Sequence, residues 1–298
     1  MLWDCYRTFG SVGLAGFVLA TVPAGPLSGQ QPAIQIRYHA SQLHCARFLE
    51  SARTIIRTES GGKTREQTSG RRGVWRFLAT SAPPGVKLEG WLDSLTLWRR
   101  SPETMTRPDT DGLIGGRFRG SLSLTGSYLE EARPFVPDEV ADVAGMGTAL
   151  EDFFPPLPPS HLEQDGSWAD SLGLNIRRLP DSGLSGVPLY RYELVRRQRD
   201  RREAAVPRDT LEIKEVSREG GSFVWHPTLG LLRRDRHIVV ETTVPAGGAV
   251  RRPVRSRIEQ RITITRDLGA LRSEAQECGA QETAAQDRTG GRSSQTTQ

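Results

Sequence analysis

Alternation of apolar and polar residues with a period of two recurs along this chain, and it dictates extended strands with one buried face. Phe118, Gly120, Leu122, Leu124, Gly126 and Tyr128 fall on one side of such a pattern, with Arg117, Arg119, Ser121, Ser123, Thr125 and Ser127 on the other. Ile258, Ile262 and Ile264 oppose Arg257, Glu259, Arg261, Thr263 and Thr265. Ile34, Ile36 and Tyr38 alternate with Gln35, Arg37 and His39, and Tyr190, Tyr192 and Leu194 with Arg191, Glu193 and Val195. Ile238, Val240, Thr242 and Val244 continue the theme, and further strand candidates span 52–58, 73–80, 86–98, 171–179, 210–217 and 222–225.

Turn chemistry punctuates these runs. Ser60-Gly61-Gly62-Lys63, Arg218-Glu219-Gly220-Gly221 and His226-Pro227-Thr228-Leu229-Gly230 read as hairpin connections. Short connections exclude parallel strands, which need long crossovers. The 19 prolines and 31 glycines also favour turns over long helices. The expected fold is therefore mainly β: a strongly curved antiparallel sheet, as a half-barrel or open barrel, with one helix packed against it.

That helix is expected over about 138–153. Pro137, Asp138 and Glu139 suit a helix N-terminus, Val143, Met146, Gly147 and Leu150 share a face, and Pro155-Pro156 ends it. Residues 154–160 (FPPLPPS) form a proline-rich connector. One domain is expected over 30–268. Residues 269–298 hold mostly polar and small side chains and read as a disordered tail.

The N-terminus carries an export pattern. Arg7 precedes an uncharged apolar run from Phe9 to Val22, followed by Pro23, Gly25, Pro26, Ser28 and Gly29. This is the layout of a cleavable signal peptide over 1–29, too short to span a bilayer comfortably. No cysteine follows the run to form a lipobox, and no other stretch approaches transmembrane length. The expected location is periplasmic or secreted. Cleavage would remove Cys5 and leave Cys45 and Cys278. In an oxidising compartment these two either form a disulfide or remain a buried and a free thiol.

The net charge of +5 comes almost wholly from arginine, the lysines being Lys63, Lys87 and Lys214. In sequence the arginines are dispersed among 35 acidic residues, which argues against a nucleic-acid partner. Catalytic and metal motifs fail on spacing. Gly62-Lys63-Thr64 lacks the earlier glycine of a phosphate loop, since Arg57 stands there. Gly183-Leu184-Ser185-Gly186 is one residue short of a nucleophile elbow. Asp109-Thr110-Asp111-Gly112 lacks the closing acid of a calcium loop. His44 beside Cys45 offers two metal-ligand types, against the plainer reading of a satisfied or exposed histidine. No cofactor and no metal are expected.

Aromatic residues remain the candidate site. Trp75, Trp91, Tyr128, Trp168 and Trp225 lie on or beside expected strands and would line a pocket for an apolar ligand on a concave sheet, or pack the core. Residues 163–171 (EQDGSWADS) follow the proline connector, and 220–231 (GGSFVWHPTLGL) precede a charged strand. Together they resemble uncharacterised exported bacterial proteins of the DUF6263-like kind. In architecture the chain is similar to lipoprotein-carrier half-barrels of the LolA and LppX/LprG type. That resemblance implies a curved sheet closed by helices around acyl chains. The sequence reading is thus an exported, non-enzymatic envelope protein with a hydrophobic or lipid-like ligand. Its alternatives are an interaction module with an envelope protein partner and a solid core, and an unrecognised hydrolase.

Overall fold

The computed structural model describes residues 35–138, 140–141, 150–206, 209–246 and 250–269. Twelve strands form a single antiparallel sheet that does not close. They are β1 (Arg47–Ser60), β2 (Lys63–Ala82), β3 (Gly85–Arg100), β4 (Met105–Thr106), β5 (Phe118–Ser123), β6 (Tyr128–Ala132), β7 (Ser167–Ala169), β8 (Leu174–Leu184), β9 (Val187–Val206), β10 (Asp209–His226), β11 (Gly230–Val244) and β12 (Val254–Arg266). A short helix, α1 (Ala40–Leu43), precedes them. The spatial order is β6-β5-β3-β2-β1-β12-β11-β10-β9-β8-β7, with β4 beside β3. Two meanders therefore meet where β1 pairs β12, from Phe48 opposite Arg266 to Ser60 opposite Val254.

Period-two alternation sets the buried face. Phe48, Glu50 and Ala52 point to the core from β1, as do Trp75 and Phe77 from β2, Ile262 and Ile264 from β12, Phe223 and Trp225 from β10, and Tyr192 and Leu194 from β9. Phe153 and Phe154 fill the hollow of this face. Phe153 meets Phe48 and Phe77 at ring-centroid distances of 5.4 and 5.2 Å. Tyr38 lies 5.5 Å from Phe154 and 5.1 Å from Trp225, while Phe154 is 5.6 Å from Phe77. Strands β2 and β10 are four sheet spacings apart, about 19 Å if flat. β2 reaches Phe153 and Phe154 directly through Phe77, and β10 reaches the same cluster through Trp225 on Tyr38, so the sheet curls around it.

The proline connector is the strap that holds this plug. Tyr38 Oη donates to the Pro155 carbonyl at 2.9 Å, Arg37 Nη1 to Pro158 O at 3.1 Å, and Leu157 N to Thr125 O at 2.8 Å. Leu157, Pro155 and Pro158 are buried, so the connector is part of the core.

Several expectations change. Residues 218–221 do not turn: they continue β10, opposite 236–239. A Cβ on Gly221 would lie 2.2 Å from Asp235 O, so close strand approach requires glycine there. The alternation from Phe118 to Tyr128 is not one strand but a hairpin, reversing at 124–127, with Gly126 at φ 96°. Residues 35–39 keep alternating burial without joining the sheet; Tyr38 N bonds Leu124 O instead. The turns at Gly61-Gly62 and 227–229 form as expected. Most of the expected helix over 138–153 lies outside the described residues. So do the whole of the signal peptide segment, the tail apart from Gly269, and Cys278. Among the described residues, no helix is long and apolar enough to cross a membrane.

Candidate functional site

A row of residues crosses the core-facing face and divides it. Arg71 stands opposite Ala52, Ala52 opposite Ile262, Ile262 opposite Arg236, and Arg236 opposite Gly221. On one side of the row lies the aromatic core. At the row itself, charged side chains point inward and are buried, which requires paired hydrogen bonds.

On the first half of the sheet, Glu50 is 5% exposed and both its oxygens are satisfied. Arg71 donates to Oε1 from Nε at 3.1 Å and from Nη2 at 2.6 Å; Trp75 Nε1 donates to Oε2 at 2.9 Å. On the second half, Arg236 Nε donates to Glu219 Oε1 at 2.7 Å, Arg234 Nη2 lies 3.6 Å from the same oxygen, and Arg196 Nη1 lies 3.9 Å from Oε2. Arg234 and Arg236 also donate through Nη1 to the Asp152 carbonyl at 2.5 and 3.1 Å, which ties the Phe153-Phe154 plug to the sheet.

Burial alone would raise the Glu219 carboxyl, but the Arg236 hydrogen bond and the surrounding guanidinium charges outweigh it and hold it below the ordinary 4.5. Burial, reinforced by Arg236, draws the Arg234 guanidinium down to about 9, so it remains charged at neutral pH. Burial raises Tyr38 well above its ordinary value and Tyr192 up to about 12, so both stay neutral and Tyr38 keeps the proton it donates.

Beyond the charged row the same face continues without a covering element among the described residues. Ile56, Ile258, Val240, Val244 and Val254 occupy successive inward positions there, half-exposed and outside the core cluster. Thr54, Thr58, Gln260, Ser256 and Thr242 alternate with them. A cleft of 550 Å³ opens on the first half beside Ile56, Thr58, Arg65 and Gln67, walled by residues 101–103. A second, of 610 Å³, opens on the other half beside Gln198, Asp200, Glu215 and Ser217, walled by residues 171–173. The two clefts flank the apolar strip, making one trough from β2 to β9. Five strand spacings give it a width of about 24 Å. Each cleft has the size of a small-molecule site.

The aromatic residues expected from sequence go elsewhere. Trp75 and Trp225 are packed in the core at 0% and 1% exposure. Trp91 is on the opposite face, its Nε1 donating to Asp93 Oδ1 at 3.0 Å and its ring under the Arg117 guanidinium at 3.7 Å. Trp168 pairs with Ile176 at one sheet edge and Tyr128 with Leu122 at the other, and both pack on the core rim; the buried Tyr128 hydroxyl has no hydrogen-bond partner among the described residues. None of the five lines the trough. Sequence reasoning missed Glu50, Arg71, Glu219, Arg234 and Arg236. Their signal was a charged residue at an inward position of an alternating strand, as in Phe48-x-Glu50-x-Ala52.

The histidines serve local structure. His226 Nδ1 accepts from Thr228 N and Leu229 N at 3.1 Å, and His237 Nε2 lies 3.0 Å from Glu259. His44 Nδ1 lies 3.0 Å from Ala79 O. Among the described residues no group of His, Cys, Asp and Glu is arranged to hold a metal ion.

No family model matches the chain, and no curated protein matches it. One solved structure similar to part of it is described as showing lipid–protein interactions in lipovitellin. That likeness has 10% identity and a TM-score of 0.45, covering 74% of this chain and 25% of that one. Another is a DUF1329 family protein from Desulfovibrio piger, at 9% identity and a TM-score of 0.17, covering 74% of this chain and 86% of that one. The chain thus spans a quarter of the lipovitellin chain it matches, and at these scores neither likeness bears on function.

Proposed function

We propose that this chain is an exported protein of the bacterial cell envelope that holds an elongated hydrophobic or lipid-like ligand in the trough beyond the charged row. One observation carries the reading. The aromatic core is filled and sealed by buried ion pairs, yet the same sheet face goes on to present a half-exposed apolar strip between two clefts. A strip of this kind next to a completed core is surface left for something to cover. Its width is on the scale of an extended acyl chain, and the polar clefts at either side suit a head group. The ligand site of this reading is therefore the open half of the sheet, and the protein acts by binding.

Export rests on the arrangement of Arg7, the Phe9 to Val22 run and the small residues after it. The same reading joins Cys45 to Cys278. Cys278 lies outside the described residues.

Native mass spectrometry of the protein purified from a bacterial envelope tests the proposal, together with melting curves in the presence of added phospholipid and fatty acid. Retained lipid mass and a rise in Tm are expected. A ligand at a hundred times its Kd adds about 2.7 kcal/mol. Bare protein with no shift from any lipid would overturn it.

A further inference from the structure

The sheet face opposite the trough carries its own pattern. Cross-strand register sets like charges directly opposite one another: Arg53 with Arg261, Arg57 with Arg257, Arg197 with Arg218, and Arg201 with Lys214. Such juxtapositions destabilise a sheet. Some are relieved locally, since Arg57 pairs with Glu66, Arg257 with Glu241, Arg261 with Glu259, and Lys214 lies 3.5 Å from Glu212. Arg53, Arg197, Arg199, Arg201 and Arg218 are exposed and have no ion pair among the described residues. Strand pairing thus brings arginines distant in sequence together on this face.

We propose that this face docks on an anionic phospholipid bilayer. The cations form a two-part grid, on β1 and β12 and on β10 and β9, with Val239 and Glu241 of β11 between the parts; the five strands are about 19 Å wide. A grid matches a plane of phosphates, whereas a linear polyanion would be met by a single track. Acids such as Glu59 and Glu259 are interspersed and keep the potential moderate, which suits reversible docking. Each guanidinium fork fits a phosphate through two hydrogen bonds. Docking this way turns the trough away from the bilayer and leaves it open. The inference is independent of what the trough holds.

Flotation of the full chain with vesicles tests it. Vesicles of phosphatidylglycerol and phosphatidylcholine should carry the protein, and pure phosphatidylcholine vesicles should not. Salt at about 0.5 M should release it, since screening shortens the Debye length well below its physiological value of about 8 Å. The double substitution R201E/R218E should weaken partitioning roughly tenfold or more. R53E/R261E, at the other side of the grid, should do the same if the first variant fails to fold. Lipid retention in the trough should be unchanged in both. Equal binding to neutral vesicles, no effect of either variant, or binding to double-stranded DNA in place of vesicles would overturn the proposal.

Discussion

Arg236 and Glu219 meet diagonally across the β10–β11 pair, 2.7 Å apart and both buried, and they mark where the core of this sheet stops. Removing one member strands the other. Glu219→Ala should lower stability by about 3–5 kcal/mol, because Arg234 and Arg236 would remain in the interior with one compensating carboxylate fewer. Chemical denaturation at pH 7 measures this.

The same carboxyl sets an acid limit. A group held below its ordinary pKa by folding stabilises the fold above that value, and the contribution disappears as pH falls through the folded value. Glu219 is such a group, with an ordinary value of 4.5. Tm of the native chain should therefore fall as pH drops below about 4.5, and the Glu219→Ala variant should show a shallower fall over the same window. Parallel slopes would exclude Glu219 as a source.

The strap can be tested without disturbing volume. Tyr38→Phe removes only the hydroxyl that donates to the Pro155 carbonyl at 2.9 Å and leaves that buried acceptor unmatched. A loss of about 1–3 kcal/mol is expected. Limited proteolysis should then cut earlier within 150–160 than in the native chain.

Gly90 lies under the Phe77 ring, and a Cβ there would sit 2.7 Å from it. Phe77 is boxed in by Phe48, Trp75, Phe153 and Phe154 and has nowhere to move. Gly90→Ala should cost about 1–3 kcal/mol in thermal or denaturant unfolding.

The trough should behave in the opposite way. Ile258 is half-exposed, so Ile258→Arg should change stability by less than about 1 kcal/mol. It should nevertheless abolish the lipid-induced rise in Tm, because a charge would stand in the middle of the apolar strip.

How much of this was legible in the sequence differs by level. Strand existence was legible wherever alternation was clean, as around Ile262, because burial of one face imposes it locally. Glycines misled: Gly220-Gly221 has the chemistry of a turn, but the need at Gly221 is room for the Asp235 carbonyl on another strand. The candidate tryptophans misled for a related reason. Trp75 and Trp91 are both strand aromatics in sequence, and a register shift between Val74 and Trp75 is part of what separates their surroundings. The trough and the arginine grid were not legible. Each is assembled from strands distant in sequence, such as Arg53 beside Arg261, and only the pairing order reveals the assembly.

That order also governs how the chain is made. β1 is among the first strands to be synthesised and β12 the last, yet they are neighbours in the middle of the sheet. Each meander can zip locally, but the plug contacted by both has no complete socket until β12 arrives. The last strand is therefore a keystone. Until it is in place, the growing chain carries a long unpaired edge and an unfinished hydrophobic cup, the condition in which holding chaperones are most needed.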